Sequence, residues 1–236
     1  MTIDGTGEAY RRTKAYVGLD AHEDPLERVL DNVRLLLDEG TRVQVRLNLH
    51  KANEGDLMGL ASLLSTLFGG DGFGAYVALL RDAYARPLGY EDDEEAIASY
   101  ERLVRLLREE GLYRFRGVGG RRRRNHCMAD SGTGLTILPD GRLGLCEHFS
   151  DSETVGSVHE GVTDDDLVAA WRERVAPQSE CAACPHHPTC TDLRRCPYSA
   201  AGCTNLDRRI KDIDLAGHIL ASLESCARDD GAGARG

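Results

Sequence analysis

The sequence predicts an α/β chain in two parts: about three parallel strand–helix units, then an irregular cysteine-rich region. Three observations carry this. Strand-like and helix-like periodicities alternate through the first half. A glycine- and arginine-rich stretch, Gly117–Arg124, interrupts the pattern. All eight cysteines and the single tryptophan, Trp171, lie beyond it.

Along the first half, Ala9–Gly18 reads as a polar lead-in, preceded by a possible strand end at Thr2–Asp4. Leu26, Val29, Leu30, Val33, Leu36 and Leu37 then recur at helical spacing, with Gly40 as the stop. Thr41–Leu49 alternates strictly, with Val43, Val45, Leu47 and Leu49 on one face and Gln44, Arg46 and Asn48 on the other. Asn53 is placed to cap a second helix whose apolar stripe is Leu57, Leu60, Ala61, Leu64 and Leu67. After a loop at Gly69–Gly72 comes an apolar strand, Phe73–Leu80. A third helix follows over Asp93–Glu110, with Ile97, Tyr100, Val104 and Leu107 inward and Gly111 ending it. Such alternation points to βαβ units, at about half the number a small α/β barrel needs to close. The polar strand face has two readings, a solvated or ligand-bearing cavity and an edge strand turned to water.

In the second half, Ile137–Leu143 reads as a hairpin turning at Asp140–Gly141. Asp164–Val175 and Asp214–Ser225 read as short helices, and Asp229–Gly236 as a disordered tail.

At 236 residues and 41% hydrophobic, the chain is long enough to bury a core without disulfide staples. The longest apolar runs fall short of a membrane span, and Met1–Gly7 does not resemble a signal peptide, so no membrane association is expected and the predicted home is the cytosol. A net charge of −10 argues against nucleic acid as a partner. In a reducing compartment, clustered cysteines point to metal binding or catalysis rather than cross-linking.

The cysteines fall as Cys127, thirteen residues, Gly141, four residues, Cys146, and then Cys181-x2-Cys184-x5-Cys190-x5-Cys196-x6-Cys203, with Cys226 apart. A two-residue gap lets Cys181 and Cys184 turn both sulfurs to one centre, and thiolates are the soft ligands chosen by zinc and by iron–sulfur clusters. Pro185, Pro188 and Pro197 stiffen the loops. On spacing alone both metals stay open, because four thiolates suit tetrahedral zinc and His186 and His187 sit inside the run. His148 is read as a surface histidine, and Arg121–Arg124 as a solvated linker or a grip for an acidic peptide. The acidic runs Glu91–Glu95 and Asp164–Asp166 are read as charges at helix N-termini.

The segment Cys127–Cys203 resembles a SPASM domain, the auxiliary-cluster module that follows the barrel in many radical S-adenosylmethionine (radical SAM) enzymes. Cys127, Gly141 and Cys146 match its first element, and Cys181, Cys184 and Cys190 its C-x2-C-x5-C element. Cys196–Pro197 follows two residues later than the family's usual spacing. Val155–Val158, Trp171 and the stretch Cys203–Leu220 resemble the connector, helix and closing segment. In the first half, Ile3–Tyr16, Leu26–Leu37 and Val43–Asn53 resemble the exit of the fourth strand, its helix and the fifth strand of a radical SAM barrel. The resemblance implies a half barrel over residues 1–116, a SPASM domain over 117–226 and a tail over 227–236.

By that resemblance the module holds two [4Fe–4S] clusters. Cys181, Cys184, Cys190 and Cys203 would ligate the outer one. Cys127, Cys146 and Cys196 would hold the inner one, with an iron left open, while Cys226 is a spare thiol. Arg46 and Asn48 would face cofactor or substrate.

The family cleaves S-adenosylmethionine at a cluster held by a C-x3-C-x2-C loop, and no such triplet occurs here. The chain is therefore expected not to form the 5′-deoxyadenosyl radical by itself, as the C-terminal portion of a peptide- or protein-modifying enzyme would not. S-adenosylmethionine would bind only with the missing half-barrel supplied. Possible partners are a peptide or protein substrate and a chain supplying that half. The alternative is a non-enzymatic metal-binding module, structured by zinc or iron–sulfur, or a partner subunit.

Overall fold

Parallel pairing of two short strands organises the first half of the chain in the computed structural model. The structure describes residues 1–15, 24–82, 86–113, 128–132, 134–147, 153–176, 179–187, 190, 193–196 and 203–233, with side chains to Glu224 in the last segment. Gly117–Arg124, Cys127, His148, Pro188, Pro197 and the side chain of Cys226 lie outside the described residues. The chain forms two compact units, Met1–Gly119 with Leu206–Gly236, and Gly120–Asn205.

In the first unit, β1 (Val43–Leu49) pairs with β2 (Phe73–Leu79) in a continuous register from Val43↔Phe73 to Leu49↔Leu79. The alternation in β1 does what a half-buried strand requires. Val45, Leu47 and Leu49 are fully buried while Gln44 and Arg46 are exposed. The chain start lies along the free edge of β1, where Ile3 N donates to the Arg46 carbonyl and Arg46 N to that of Met1. On the free edge of β2, Ala75 N donates to the Leu112 carbonyl. The arrangement is mixed α/β with an open sheet, and the described strands do not close into a barrel.

Helix α1 (Gly7–Lys14) occupies what reads in sequence as a polar lead-in. Its only buried residue is Tyr10, too little to give a periodic signal. The turn before it is held from a distance, since Asp56 accepts from both the backbone N and the hydroxyl of Thr6. Helix α2 (Pro25–Asp38) opens on an Asp24 cap, with Pro25 in the first turn, where its missing N–H costs nothing. Helix α3 (Glu54–Leu67) buries Leu57, Leu60, Ala61 and Leu64 and provides the crossover between β1 and β2. Asn53 does not cap it through its side chain. Its amide instead donates to the carbonyls of Asp4 and Asn48 and accepts from His50 N, tying the chain start to the end of β1.

Helix α4 (Asp93–Glu109) is capped by Asp92, with Asp93, Glu94 and Glu95 in the first turn complementing the helix dipole. Ile97, Tyr100, Val104 and Leu107 are buried as their spacing requires. Each fully buried Leu of this core contributes roughly 1.5–3 kcal/mol.

The second unit is assembled from short pieces. Helix α5 (Met128–Ser131) precedes a four-stranded antiparallel sheet of β3 (Thr136–Ile137), β4 (Arg142–Gly144), β5 (Gly156–Ser157) and β6 (Gly161–Val162). Helix α6 (Asp165–Trp171) is capped by Asp164 and stops four residues before Val175. The last helix, α7 (Asn205–Gly233), begins nine residues before Asp214 and continues through most of the expected tail. Its early start follows from packing, because Leu206 is buried and Ile210 and Ile213 lie against the first unit's core. Once a helix is nucleated, each added residue gains a hydrogen bond at little further cost.

Candidate metal centre

The predicted hairpin sets the position of Cys146. Gly141 takes φ +85° in the turn, and its N–H donates to the Leu138 carbonyl. Asp140 accepts from the backbone and guanidinium of Arg142, which holds its carboxyl below the ordinary range. Leu143 and Leu145 are then buried, and Cys146 follows at the edge of the same core. A close approach of β5 and β6 closes this side of the sheet. A Cβ on Gly156 would lie 1.9 Å from the Gly161 carbonyl oxygen, so only glycine fits.

Cys196 reaches the same core from the other direction. After α6, Arg174 and Leu193 form an antiparallel bridge, and Arg194 N donates to the Glu173 carbonyl. Leu193 is fully buried, and a turn in which Cys196 N donates to its carbonyl carries Cys196 to 9% exposure. The resulting core contains Ala129, Leu143, Leu145, Val155, Trp171, Leu193 and Cys196, with Cys146, Leu167 and Val168 packed against it. Two residues assigned to one cluster by resemblance, Cys146 and Cys196, thus share one apolar nucleus. The third, Cys127, lies outside the described residues.

Cys181, Cys184 and Cys190 stand on consecutive turns. A 3-10 helix covers Ser179–Ala183, and Cys184 N donates to the Cys181 carbonyl. The same three-residue step repeats as His187 N donates to Cys184 and Cys190 N to His187. All three sulfurs are half-buried, and the Cys190 thiol lies 3.4 Å from the His186 carbonyl. His186 itself is buried, at 7% exposure. Cys203, at the entrance to α7, is exposed and directs its thiol toward the Thr204 carbonyl.

The six described cysteines carry thiols rather than disulfides, so the donor set has the soft character that iron–sulfur clusters and zinc require. Among the described residues, no group of three or more His, Cys, Asp or Glu side chains that could hold a metal ion is found.

The other residues singled out by sequence lie in the first unit. Arg46 is exposed, and Asn48 is half-buried, with an Oδ1 atom that is buried and has no hydrogen-bond partner among the described residues. The register places Tyr76 and Ala78 beside Arg46 and Asn48. Sequence reasoning did not select Asp4, which is 5% exposed. It pairs with Lys14 at 2.6 Å through one oxygen, and its other oxygen has no partner among the described residues. It also missed Asp214 of α7. That carboxylate accepts from Tyr100 at 2.9 Å and Tyr113 at 3.1 Å. Burial raises the Asp214 pKa against the lowering effect of the two phenol donors, and burial lowers that of His218.

Fold and site together define a mixed α/β chain with a thiol-rich second unit. No protein-family model, curated protein or solved structure matches the chain.

Proposed function

We propose that the second unit is an auxiliary iron–sulfur domain of the SPASM type, and that the first is the C-terminal half of a radical SAM barrel. Cys181, Cys184, Cys190 and Cys203 hold one [4Fe–4S] cluster, and Cys127, Cys146 and Cys196 hold the other. The observation that carries the reading is the joint placement of thiols: three on consecutive three-residue turns, and two more sharing one apolar core. Thiolates are the ligands that such clusters take.

Clusters bound here would supply one-electron transfer or a Lewis-acidic iron. The protein's own residues do the remaining work. Val155, Leu143 and Trp171 exclude water from the side of Cys146 and Cys196, and in such surroundings burial, charge and hydrogen bonding set a potential. In the first unit, Arg46 offers a cationic donor and Asn48 an unmet acceptor on one strand face. On this reading that face meets S-adenosylmethionine or a peptide substrate once a complementary half-barrel is present.

Oxygen-free reconstitution with iron and sulfide tests the proposal. The expected product absorbs near 400 nm, carries roughly eight irons and does not cleave S-adenosylmethionine by itself. Two zincs without acid-labile sulfide would establish the structural-zinc alternative instead. Robust cleavage by the chain alone would overturn the half-barrel reading.

A further inference from the structure

Helix α7 commits little hydrocarbon to the first unit. Among its described side chains, Leu206 is the one long apolar residue that is buried. Ile210, Ile213 and Ala221 are partly buried against the core, and Leu215, Ile219, Leu220 and Leu223 are exposed. α4, by contrast, buries Ile97, Leu103, Val104 and Leu107. The further contacts of α7 include ion pairs. Asp207 meets Arg81 at 2.5 Å, Arg209 meets Glu94 at 3.6 Å and Glu224 meets Arg108 at 3.9 Å, all partly exposed. Pairs of that kind contribute little. A helix held in this way belongs to the low-stability end of a fold, where parts open before the whole.

Asp214 stands at the centre of the seat. Its half-buried carboxylate accepts from Tyr100 of α4 and from Tyr113, just after α4. Three residues on, Gly217 lets the helix come close, since a Cβ there would lie 2.9 Å from the Tyr113 ring. His218 meets the same ring, at 5.5 Å between centroids. The titratable groups that act on Asp214 are thus Tyr100, Tyr113 and His218, and none of them is a lysine or arginine. An ionised carboxylate here has lost part of its water without gaining a permanent countercharge, so release into water favours the ion.

We infer that α7 is a detachable strap, seated on the first unit while Asp214 is neutral and loosened when that carboxyl ionises. The strap is the stretch by which the chain returns from the second unit to the first. What stays behind supports itself, because Val45, Leu47 and Leu49 of β1 and Leu57, Leu60 and Leu64 of α3 are fully buried. Burial holds the Asp214 carboxyl above the ordinary range. Its share of the seating is therefore whole below that range and fades as pH rises through the raised value. His218 opposes it. Burial holds the imidazole below its ordinary value, so its share is whole above that value and fades as pH falls. Bound iron plays no part in the device.

Hydrogen exchange read by mass spectrometry on the full chain tests the strap, with rates corrected for the intrinsic pH dependence of amide exchange. Peptides from α7 and from β1 are followed between about pH 5 and about pH 8. The chains compared are His218→Gln and His218→Gln with Asp214→Asn added. The first change removes the opposing imidazole. The second keeps an acceptor for both phenols but cannot ionise. In His218→Gln, α7 protection should fall as pH rises, by up to about tenfold per pH unit, while β1 keeps its protection. Adding Asp214→Asn should flatten that slope and raise α7 protection at about pH 8. The β1 peptides report whether each variant is folded, and Asp214→Ser, equally unable to ionise, serves where the amide disturbs the seat. Two results would overturn the inference: α7 and β1 opening together with one protection, or an α7 slope that survives loss of the carboxyl.

Discussion

Replacing Tyr113 with Phe removes one of two donors to the half-buried carboxylate of Asp214 and leaves the ring in place. Tyr113 is 2% exposed, and its hydroxyl donates to Asp214 Oδ1, the same atom that Tyr100 reaches from α4. The pair fastens α7 to the rest of the first unit. A hydrogen bond to a charged acceptor contributes roughly 1.5–3 kcal/mol, so Tyr113→Phe should cost about 2 kcal/mol at pH 7. The effect should also depend on pH. Burial is the leading cause of raised pKa values for both phenols, with the Asp214 charge next. A group whose pKa is raised by folding gives stability that is present below its unfolded value and lost as pH rises. Above about pH 10, each tyrosine should remove up to about 1.4 kcal/mol per pH unit. Tyr113→Phe should then remove one of three tyrosine contributions to the alkaline slope, since Tyr90 and Tyr100 are raised as well. Asp214 works in the same direction at lower pH. Its carboxyl is raised by burial, so its contribution is full below the ordinary carboxylate value and fades as pH climbs through the raised one. Urea unfolding followed by far-UV circular dichroism at pH 7 and between pH 10 and 11 measures both effects. A loss under about 0.5 kcal/mol with an unchanged alkaline slope would refute the latch.

Other perturbations separate the two units. Gly156→Ala forces a Cβ to 1.9 Å from the Gly161 carbonyl, so the second unit should lose cooperative unfolding, read by Trp171 fluorescence, while the first keeps its circular dichroism. Leu47→Ala, at a fully buried position in β1, should destabilise the first unit by about 2–5 kcal/mol and leave iron uptake by the second unchanged. Cys181→Ser and Cys196→Ser should each remove about half of the bound iron, whereas Cys226→Ser should remove none, as measured by colorimetric iron assay.

How far the sequence reveals this fold depends on distance along the chain. The alternation of Val43, Val45, Leu47 and Leu49 predicts β1 because one strand face is buried, and α4 shows its inward residues for the same reason. Helix α1 was hidden because it buries Tyr10 alone and is stabilised through Asp56, 50 residues from Thr6. The role of Asn53 differs from the expected cap because its amide serves three backbone groups rather than its own helix. Asp214 could not be singled out, since its partners lie 114 and 101 residues away. For the thiols, spacing alone raised the metal question. The apolar core shared by Cys146 and Cys196, and the buried Trp171 Nε1 with no partner among the described residues, emerge only from the packed second unit.

The most direct measurement is a joint assay of iron, acid-labile sulfide and zinc on chain purified and reconstituted without oxygen. The account predicts a brown protein with roughly eight irons and eight sulfides per chain and negligible zinc. A colourless protein, or one holding zinc and no sulfide, would contradict it.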